Sequence, residues 1–313
     1  VPADGEWEHA FDRAGGGAQV MEPVTSQALP PLLKWAGGKR WLLPYLRPLW
    51  AQYVNHRLVE PLGGGLAITL GLRPRRAWVN DINPHVINFY KWVQQGLELP
   101  FSDSDHNEQA FYRHRARFNA LIANGEAMSK EAAQLFYYLN RTCYNGLCRF
   151  NADGLFNVPF GKYKRVRYAR SFPAHEKAFE QWAFTCGDFE QMTGLTPEDF
   201  IYADPPYDVE FTKYSKDGFS WEDQKRLARW LAQHEGPVVI SNQATERVKE
   251  LYTSHSYLIF EVPGPRRISC NGDRSPAPEV LAFKNVDLPS EVFEMLQAAK
   301  LSTSAFFSGR PKE

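Results

Sequence analysis

The tetrad Asp204-Pro205-Pro206-Tyr207 directly follows the apolar run Phe200-Ile201-Tyr202-Ala203. The run reads as a buried strand. Two consecutive prolines can neither continue a helix nor pair in a sheet ladder, so they impose a stiff, extended turn at the strand's carboxyl end. In open α/β sheets that end is where ligands bind. The turn holds a carboxylate, a backbone carbonyl and an aromatic ring in one short arc. Such a set suits a planar base carrying an exocyclic amine. Asp204 and the Pro205 carbonyl would accept the two amine hydrogens, and the Tyr207 ring would stack on the base. The plainer alternative is a proline-rich loop with a solvated aspartate, and the strand-end position weighs against it.

Two further groups lie upstream. Glu60-Pro61-Leu62-Gly63-Gly64-Gly65 follows the short strand Arg57-Leu58-Val59-Glu60. Glycines there let backbone approach a cofactor closely and lead into a helix whose amino end favours negative groups. Asp81 closes the next strand, Ala77-Trp78-Val79-Asn80-Asp81, at the distance where a carboxylate holds ribose hydroxyls. Alone, Asp81 reads equally well as a helix cap ahead of Pro84. The pair together points to a nucleoside cofactor. Lys34-Trp35-Ala36-Gly37-Gly38-Lys39 sets a Gly-Gly turn among a tryptophan and two lysines, which suits gripping a carboxylate and stacking on a ring. A basic surface turn is its bland alternative.

The elements that must position these groups follow from periodicity. After the strands at 57–60 and 77–81, helices are expected over 66–72 and from Pro84 to about Gln95, with Gly96 as the stop. Residues 107–142 read as two helices. Periodicity vanishes from Cys143 to Ser171, where Asn, Gly, Tyr, Arg and Lys dominate. It resumes with strands at 200–203, 238–241, 256–262 and 280–283 and helices at 221–234 and 244–252. Alternating strand and helix means a parallel sheet covered by helices on both faces. One α/β domain is expected over 31–100 and 172–300, interrupted by an insertion at 101–171. Residues 1–30, rich in Gly, Ala, Pro and acid, read as a loose tail, with Met21 as an alternative start, and 301–313 as a second loose tail.

The 313 residues carry 36 Lys+Arg against 36 Asp+Glu. The balance hides opposed regions. Residues 138–171 hold Arg141, Arg149, Lys162, Lys164, Arg165, Arg167 and Arg170 against Asp153, a net +6. Residues 176–210 hold nine acids against Lys177, a net −8. A basic, aromatic, amide-rich loop is what anchoring on a nucleic-acid backbone and reading bases require. Composition alone would equally fit a solvated surface. No uncharged apolar stretch is long enough for a membrane span, and the acidic first 30 residues are unlike a signal peptide. The four cysteines (Cys143, Cys148, Cys186, Cys270) have neither disulfide-scaffold density nor zinc spacing, so no metal is expected and a reducing cytoplasm is the expected compartment.

From about Leu33 to Phe283 the chain resembles the Dam-type DNA adenine-N6 methyltransferases. The resemblance rests on ordered motifs: Lys34 to Lys39, Glu60 to Gly65, Asn80-Asp81-Ile82-Asn83, Tyr144 to Arg149, Phe156 to Lys164, Cys186-Gly187-Asp188-Phe189, the Asp204 tetrad, Ile240-Ser241-Asn242 and Arg266-Arg267-Ile268-Ser269. It implies a Rossmann-like methyltransferase sheet with an inserted, mostly helical and loop target-recognition domain. It implies S-adenosylmethionine as cofactor, held by Trp35, Ala36, Gly37, Lys39, Glu60, Pro61, Gly63, Gly64, Gly65, Asp81, Asp188 and Phe189. It implies double-stranded DNA as partner, in a prokaryotic nucleoid or phage setting, with a cognate restriction endonuclease as a possible companion. Asp204 to Tyr207 would bind a flipped adenine whose N6 attacks the sulfonium methyl directly. No covalent enzyme intermediate is needed, and no Pro-Cys nucleophile of the cytosine-C5 type is present.

By the same resemblance Arg149 would read a guanine through O6 and N7, and Leu147 and Pro159 would touch a thymine methyl. Tyr144 and Asn145 would enter the base stack, Lys34 and Tyr163 would meet the outer guanine, and Lys164 a phosphate, with Asn157 in the same run. Together these imply GATC as the target. The chain departs from the family pattern in its glycine turn, usually Pro-Phe-x-Gly-x-Gly, where Leu62 and Leu66 stand for the Phe and the last Gly. Leu66 would crowd the cofactor or force a shifted turn, with Gly63 compensating one position early. Two other readings stay open: a DNA-binding homologue with weakened transfer, and a methyltransferase of RNA adenine or protein glutamine.

Overall fold

The computed structural model describes residues 28–207, 218–265 and 277–308. Arg266 to Ser269 and Cys270 lie outside the described residues, as do Asp208 and Glu210 of the acidic stretch. Seven strands form one sheet: β1 (Arg57–Glu60), β2 (Ala77–Asp81), β3 (Trp182–Cys186), β4 (Asp199–Ala203), β5 (Val238–Gln243), β6 (Leu258–Gly264) and β7 (Ala277–Lys284). Their spatial order is β3-β2-β1-β4-β5-β7-β6. The first five are parallel, and β7 runs antiparallel between β5 and β6. β4 and β5 are buried along nearly their whole length, as strands covered on both faces must be. The chain moves outward one way through β1, β2 and β3 and the other way through β4 and β5. The direction therefore reverses between β1 and β4, and the crevice beyond their carboxyl ends is the natural ligand position.

Nine helices are described: α1 (Leu43–Trp50), α2 (Thr69–Leu72), α3 (Pro84–Gln94), α4 (Glu108–Ala123), α5 (Lys130–Thr142), α6 (Pro173–Phe179), α7 (Trp221–Ala232), α8 (Glu246–Ser254) and α9 (Ser290–Ser308). Local chemistry explains their ends. Pro84 takes the first turn of α3, and the Asn83 side chain accepts the amides of His85 (3.0 Å) and Val86 (3.4 Å). The cap of α3 is thus Asn83 and not Asp81. Gly96 follows α3 at φ +77°. Ser220 and Asp223 form a reciprocal capping box on α7.

Several expectations are corrected. The helix expected over 66–72 shrinks to Thr69–Leu72, because residues 62–68 stay in turns around the glycines. The edge strand β3 and helices α1, α6 and α9 were not among the elements read from periodicity. β3 is short and buried only on alternate residues. The expected loose tail from 301 is helical as far as Ser308. It continues α9, whose earlier Met295, Leu296, Gln297, Ala298, Ala299 and Lys300 favour helix, and no Gly or Pro intervenes before Gly309.

The segment 101–171 does not carry a core of its own. Fully buried Phe111, Phe118, Phe136 and Tyr138 of α4 and α5 pack in one contiguous cluster with Phe89, Tyr90 and Val93 of α3 and Val79 of β2. Asn88 of α3 donates to the carbonyls of Ala127 (3.2 Å) and Ser129 (3.1 Å) between α4 and α5. Among the described residues no helix is long and apolar enough to cross a membrane. Because the cluster is shared, Phe118→Ala is expected to destabilise sheet and insertion together by about 3–5 kcal/mol. Denaturant unfolding followed at once by fluorescence and far-ultraviolet circular dichroism should then shift as a single transition. A separate early transition of the helical segment would contradict the shared core.

Candidate active site and nucleic-acid interface

Asp204 is the first residue beyond β4, at the point where the strand order reverses. Its Oδ1 accepts the Ser241 hydroxyl (3.0 Å) from β5 and pairs with the Lys39 ammonium (3.0 Å). Ser241 is in turn held by the Tyr202 hydroxyl (2.7 Å). Among the described residues no donor reaches Oδ2, and the side chain keeps 24% of its surface exposed. The crowded, water-poor surroundings raise the Asp204 pKa, and the Lys39 charge and the Ser241 bond pull it back. Behind the prolines, Gln224 of α7 donates to the Pro206 carbonyl (2.7 Å), and Asn242 donates to Gln224 (3.1 Å) and to the Tyr252 hydroxyl (2.9 Å). The stiffness the two prolines imply is thus backed by a buried polar chain.

Lys39 is the hub. Its side chain is 3% exposed. The ammonium donates to the Gly37 carbonyl (3.0 Å) and the Tyr207 hydroxyl (3.2 Å), and it lies 3.8 Å from a Glu279 oxygen. The Tyr207 hydroxyl also donates to Glu279 on β7. So Lys39 of the upstream turn meets Asp204 and Tyr207 of the proline tetrad in one cluster.

The glycine turn packs against β2. Gly63 N–H donates to the Asn80 carbonyl (2.8 Å), Gly64 N–H to Asp81 Oδ2 (2.8 Å), and the Tyr90 hydroxyl to the Gly64 carbonyl (2.9 Å). The other Asp81 oxygen takes the Asn83 amide (2.8 Å). Asn80 ties the turn sideways, donating to the carbonyls of Pro61 (3.1 Å) and Gly187 (2.9 Å). Trp35 packs closely on this turn: a Cβ on Gly64 would sit 2.5 Å from its Nε1, and one on Gly65 2.7 Å from its Cβ. Leu66 takes up a left-handed conformation (φ +53°) and is fully buried with Val79 and Leu70. The Leu66 side chain is thus directed into the core by a left-handed backbone at that position. Glu60 is fully buried and accepts the Thr69 amide (3.1 Å). Burial, opposed by the Thr69 bonds and aided by the Asp204 and Asp81 charges, pushes its pKa up to about 8. Burial likewise raises Asp81.

Asp188 caps the single 3₁₀ turn Phe189–Gln191 through the Glu190 amide (2.9 Å) and pairs with Arg226 of α7 (2.9 Å). Phe189 is 3% exposed and packs on Trp230 and Phe219, which places it in the core rather than on an open surface. Trp182 is buried and donates to the Pro74 carbonyl (3.1 Å), as a structural tryptophan does.

The aperiodic loops of the insertion expose most of the other candidates. Tyr144 (52% exposed), Asn145, Leu147, Arg149, Pro159 and Lys164 all reach solvent. So do Lys162, Arg165, Arg167 and Arg170. Arg149 is pre-aimed by Asn157, whose side-chain oxygen accepts its Nε (2.8 Å). Asn145 stands at φ +53° in the turn Tyr144–Gly146. Beneath these loops Arg115 and Asn119 of α4 hold the carbonyls of Val158 (3.2 Å) and Phe156 (3.1 Å). Lys34 stitches the insertion to the turn that begins at Trp35. Its backbone exchanges two bonds with the Asn140 amide (2.7 and 2.8 Å), its ammonium donates to the Arg141 carbonyl (2.8 Å), and it sits 3.6 Å from the Tyr163 ring centroid. Burial, with Arg141 nearby, lowers its pKa to about 8.

Sequence reasoning missed Glu279, Gln224 and Asn80. Glu279 carried a signal: it precedes the apolar run Val280 to Phe283, in the place Asp204 has relative to its own strand but at the opposite end. The strand was read from Val280, and β7 starts at Ala277.

Comparison with known proteins agrees with this architecture. A family model described as D12 class N6 adenine-specific DNA methyltransferase matches residues 35–263. The chain is 34% identical over 265 residues to the retron Ec67 DNA adenine methylase of Escherichia coli, covering 80% of this chain and 90% of that protein. It is 34% identical over 274 residues to the DNA adenine methylase of Serratia marcescens, covering 80% and 97%. It is 34% identical over 245 residues to the type II methyltransferase M1.LlaDCHI of Lactococcus lactis subsp. cremoris, covering 72% and 84%. With the sheet, the Asp204 turn and these matches in agreement, the chain belongs to the D12 class of N6 adenine-specific DNA methyltransferases.

Proposed function

We propose that this enzyme methylates N6 of a flipped adenine in double-stranded DNA, within GATC, using S-adenosylmethionine. The observation that carries the reading is the Asp204 turn: a carboxylate fixed through Oδ1 with Oδ2 open, a proline-locked carbonyl and Tyr207, beyond the sheet's reversal point. The amine of adenine has two hydrogens to donate. Asp204 and the Pro205 carbonyl would take them, orienting the nitrogen lone pair and stabilising the positive charge that develops on N6. Tyr207 offers a face for stacking.

S-adenosylmethionine supplies an electrophilic methyl on a sulfonium. The residues that would hold it are Trp35, Ala36, Gly37, Lys39, Glu60, Pro61, Gly63, Gly64, Gly65, Asp81, Asp188 and Phe189. The fit is supported by the donor set. Asp188, Asp81, Glu60 and Asp204 follow one another along the carboxyl ends of β3, β2, β1 and β4, an acidic edge complementary to a cation. Deeply packed Phe189 would contribute by supporting Asp188. On the insertion, exposed Lys and Arg would contact phosphates and Arg149 would read a guanine, with Lys34, Tyr144, Asn145, Leu147, Asn157, Pro159, Tyr163 and Lys164 completing the contact face.

Modified-base sequencing of plasmid from an expressing, otherwise methylation-free host should show N6-methyladenine in GATC. Modification at another motif would refute the sequence assignment while leaving the chemistry intact. Asp204→Ala is expected to slow transfer by about 10²–10³-fold or more, since one preorganised polar partner is lost; full retained activity would refute the role. Arg149→Ala should relax discrimination at one guanine by about 1–3 kcal/mol, read from competing oligonucleotides. Leu66→Gly should destabilise the fold by about 2–5 kcal/mol through the cavity it leaves while calorimetric titration gives an unchanged S-adenosylmethionine affinity. A large gain in affinity would mean that Leu66 does crowd the cofactor.

A further inference from the structure

β7 contributes one charged residue to the cluster around Asp204, and no motif marks it. Glu279 is 8% exposed, faces Val262 of β6 and Gln243 of β5 in register, and accepts the Tyr207 hydroxyl. Its other oxygen is buried without a hydrogen bond and lies 3.8 Å from the Lys39 ammonium. A buried carboxylate costs free energy unless paired and hydrogen-bonded. Here the pairing reaches two groups of the proposed base pocket and none of the sheet. Space is cleared for it on the neighbouring strand: a Cβ on Gly264 would sit 2.4 Å from Glu279 Cγ. Lys39 also stands over the Tyr207 ring, 4.6 Å from its centroid. Tyr207 is thus held at its hydroxyl by β7 and at its face by Lys39, while Lys39 is shared between Asp204 and Glu279.

We propose that Glu279 is a positioning residue for methyl transfer: by accepting the Tyr207 hydroxyl it sets the plane of the ring on which the target adenine stacks, relative to Asp204. The inference rests on the proposed reading of Asp204 to Tyr207 as the adenine pocket. Glu279 makes no contact with the substrate itself; it acts through Tyr207. A ring swung out of plane would displace the base from Asp204 and the Pro205 carbonyl, and transfer is sensitive to displacements of about 1 Å. DNA and cofactor affinity would change less than the transfer rate, since Glu279 touches only Lys39 among the proposed cofactor residues.

The test compares Glu279→Ala, Glu279→Gln, Tyr207→Phe and the Glu279→Ala/Tyr207→Phe double variant in the full-length enzyme, with single-turnover methylation of an adenine-containing duplex for transfer and, separately, the fluorescence of a duplex carrying 2-aminopurine at the target position for flipping. Glu279→Ala and Tyr207→Phe should each lower the transfer rate by about tenfold or more, with the KM for DNA and cofactor within about threefold of the parent. The double variant should be no slower than the slower single variant, since both remove the same bond. Glu279→Gln, which can still accept the hydroxyl, should recover most of the rate. The 2-aminopurine signal of Glu279→Ala should differ from that of the parent, which reports altered stacking rather than lost folding. Additive losses, an unaffected Glu279→Ala, or no rescue by Gln would overturn the proposal. If the parent itself transfers no methyl group to adenine, the reading of the pocket fails, and with it the premise.

Discussion

The carboxyl edge of this sheet gathers five acidic side chains, and one buried lysine holds two of them, Asp204 and Glu279. Asp188, Asp81, Glu60 and Asp204 lie at or just beyond the ends of four adjacent parallel strands, and Glu279 joins them from β7. Each is dealt with differently. Asp188 borrows Arg226, Asp81 takes two backbone amides, and Glu60 shifts its pKa to about 8. Asp204 and Glu279 depend on Lys39, itself 3% exposed. Low polarity strengthens each of these pairings and makes the loss of any partner costly.

The second dependence is mechanical. Lys34 and Trp35 are neighbours in the chain but serve opposite halves of the site. Lys34 is stitched to Asn140 and Arg141 in the insertion, and Trp35 lies on the glycine turn. Gly146 permits the Lys34 contact, since a Cβ there would meet the Lys34 side chain at 2.4 Å. A single peptide unit therefore links the exposed basic loop to the glycine turn, and the glycines on either side of it are required by packing.

Much of this was legible in the sequence because the signals were local. The proline pair after an apolar strand located Asp204. Gly-rich turns and strand-end acids located Glu60 and Asp81. A charge run located the exposed loops of the insertion. What escaped depends on contacts between distant segments. Glu279 is 72 residues from the tyrosine it holds, and Asn80 links two turns that no periodicity connects. The edge strand β3 lacks the two-sided burial that makes an inner strand obvious. Leu66 was seen as a departure, but its resolution in a left-handed backbone and a core-directed side chain requires knowing where the core lies.

The apolar cluster that runs unbroken from β2 through α3 into α4 and α5 has a consequence for how DNA can be engaged. A reader hinged on a linker could adjust its pitch to the duplex. Here α4 and α5 of the insertion share their core with the sheet that carries Asp204. On the proposed reading, the duplex itself would then have to bend, unstack or open to bring a base to Asp204 while Arg149 contacts a guanine. Discrimination would depend partly on how easily a given sequence deforms, and bases the protein never touches would enter the selection through their stiffness.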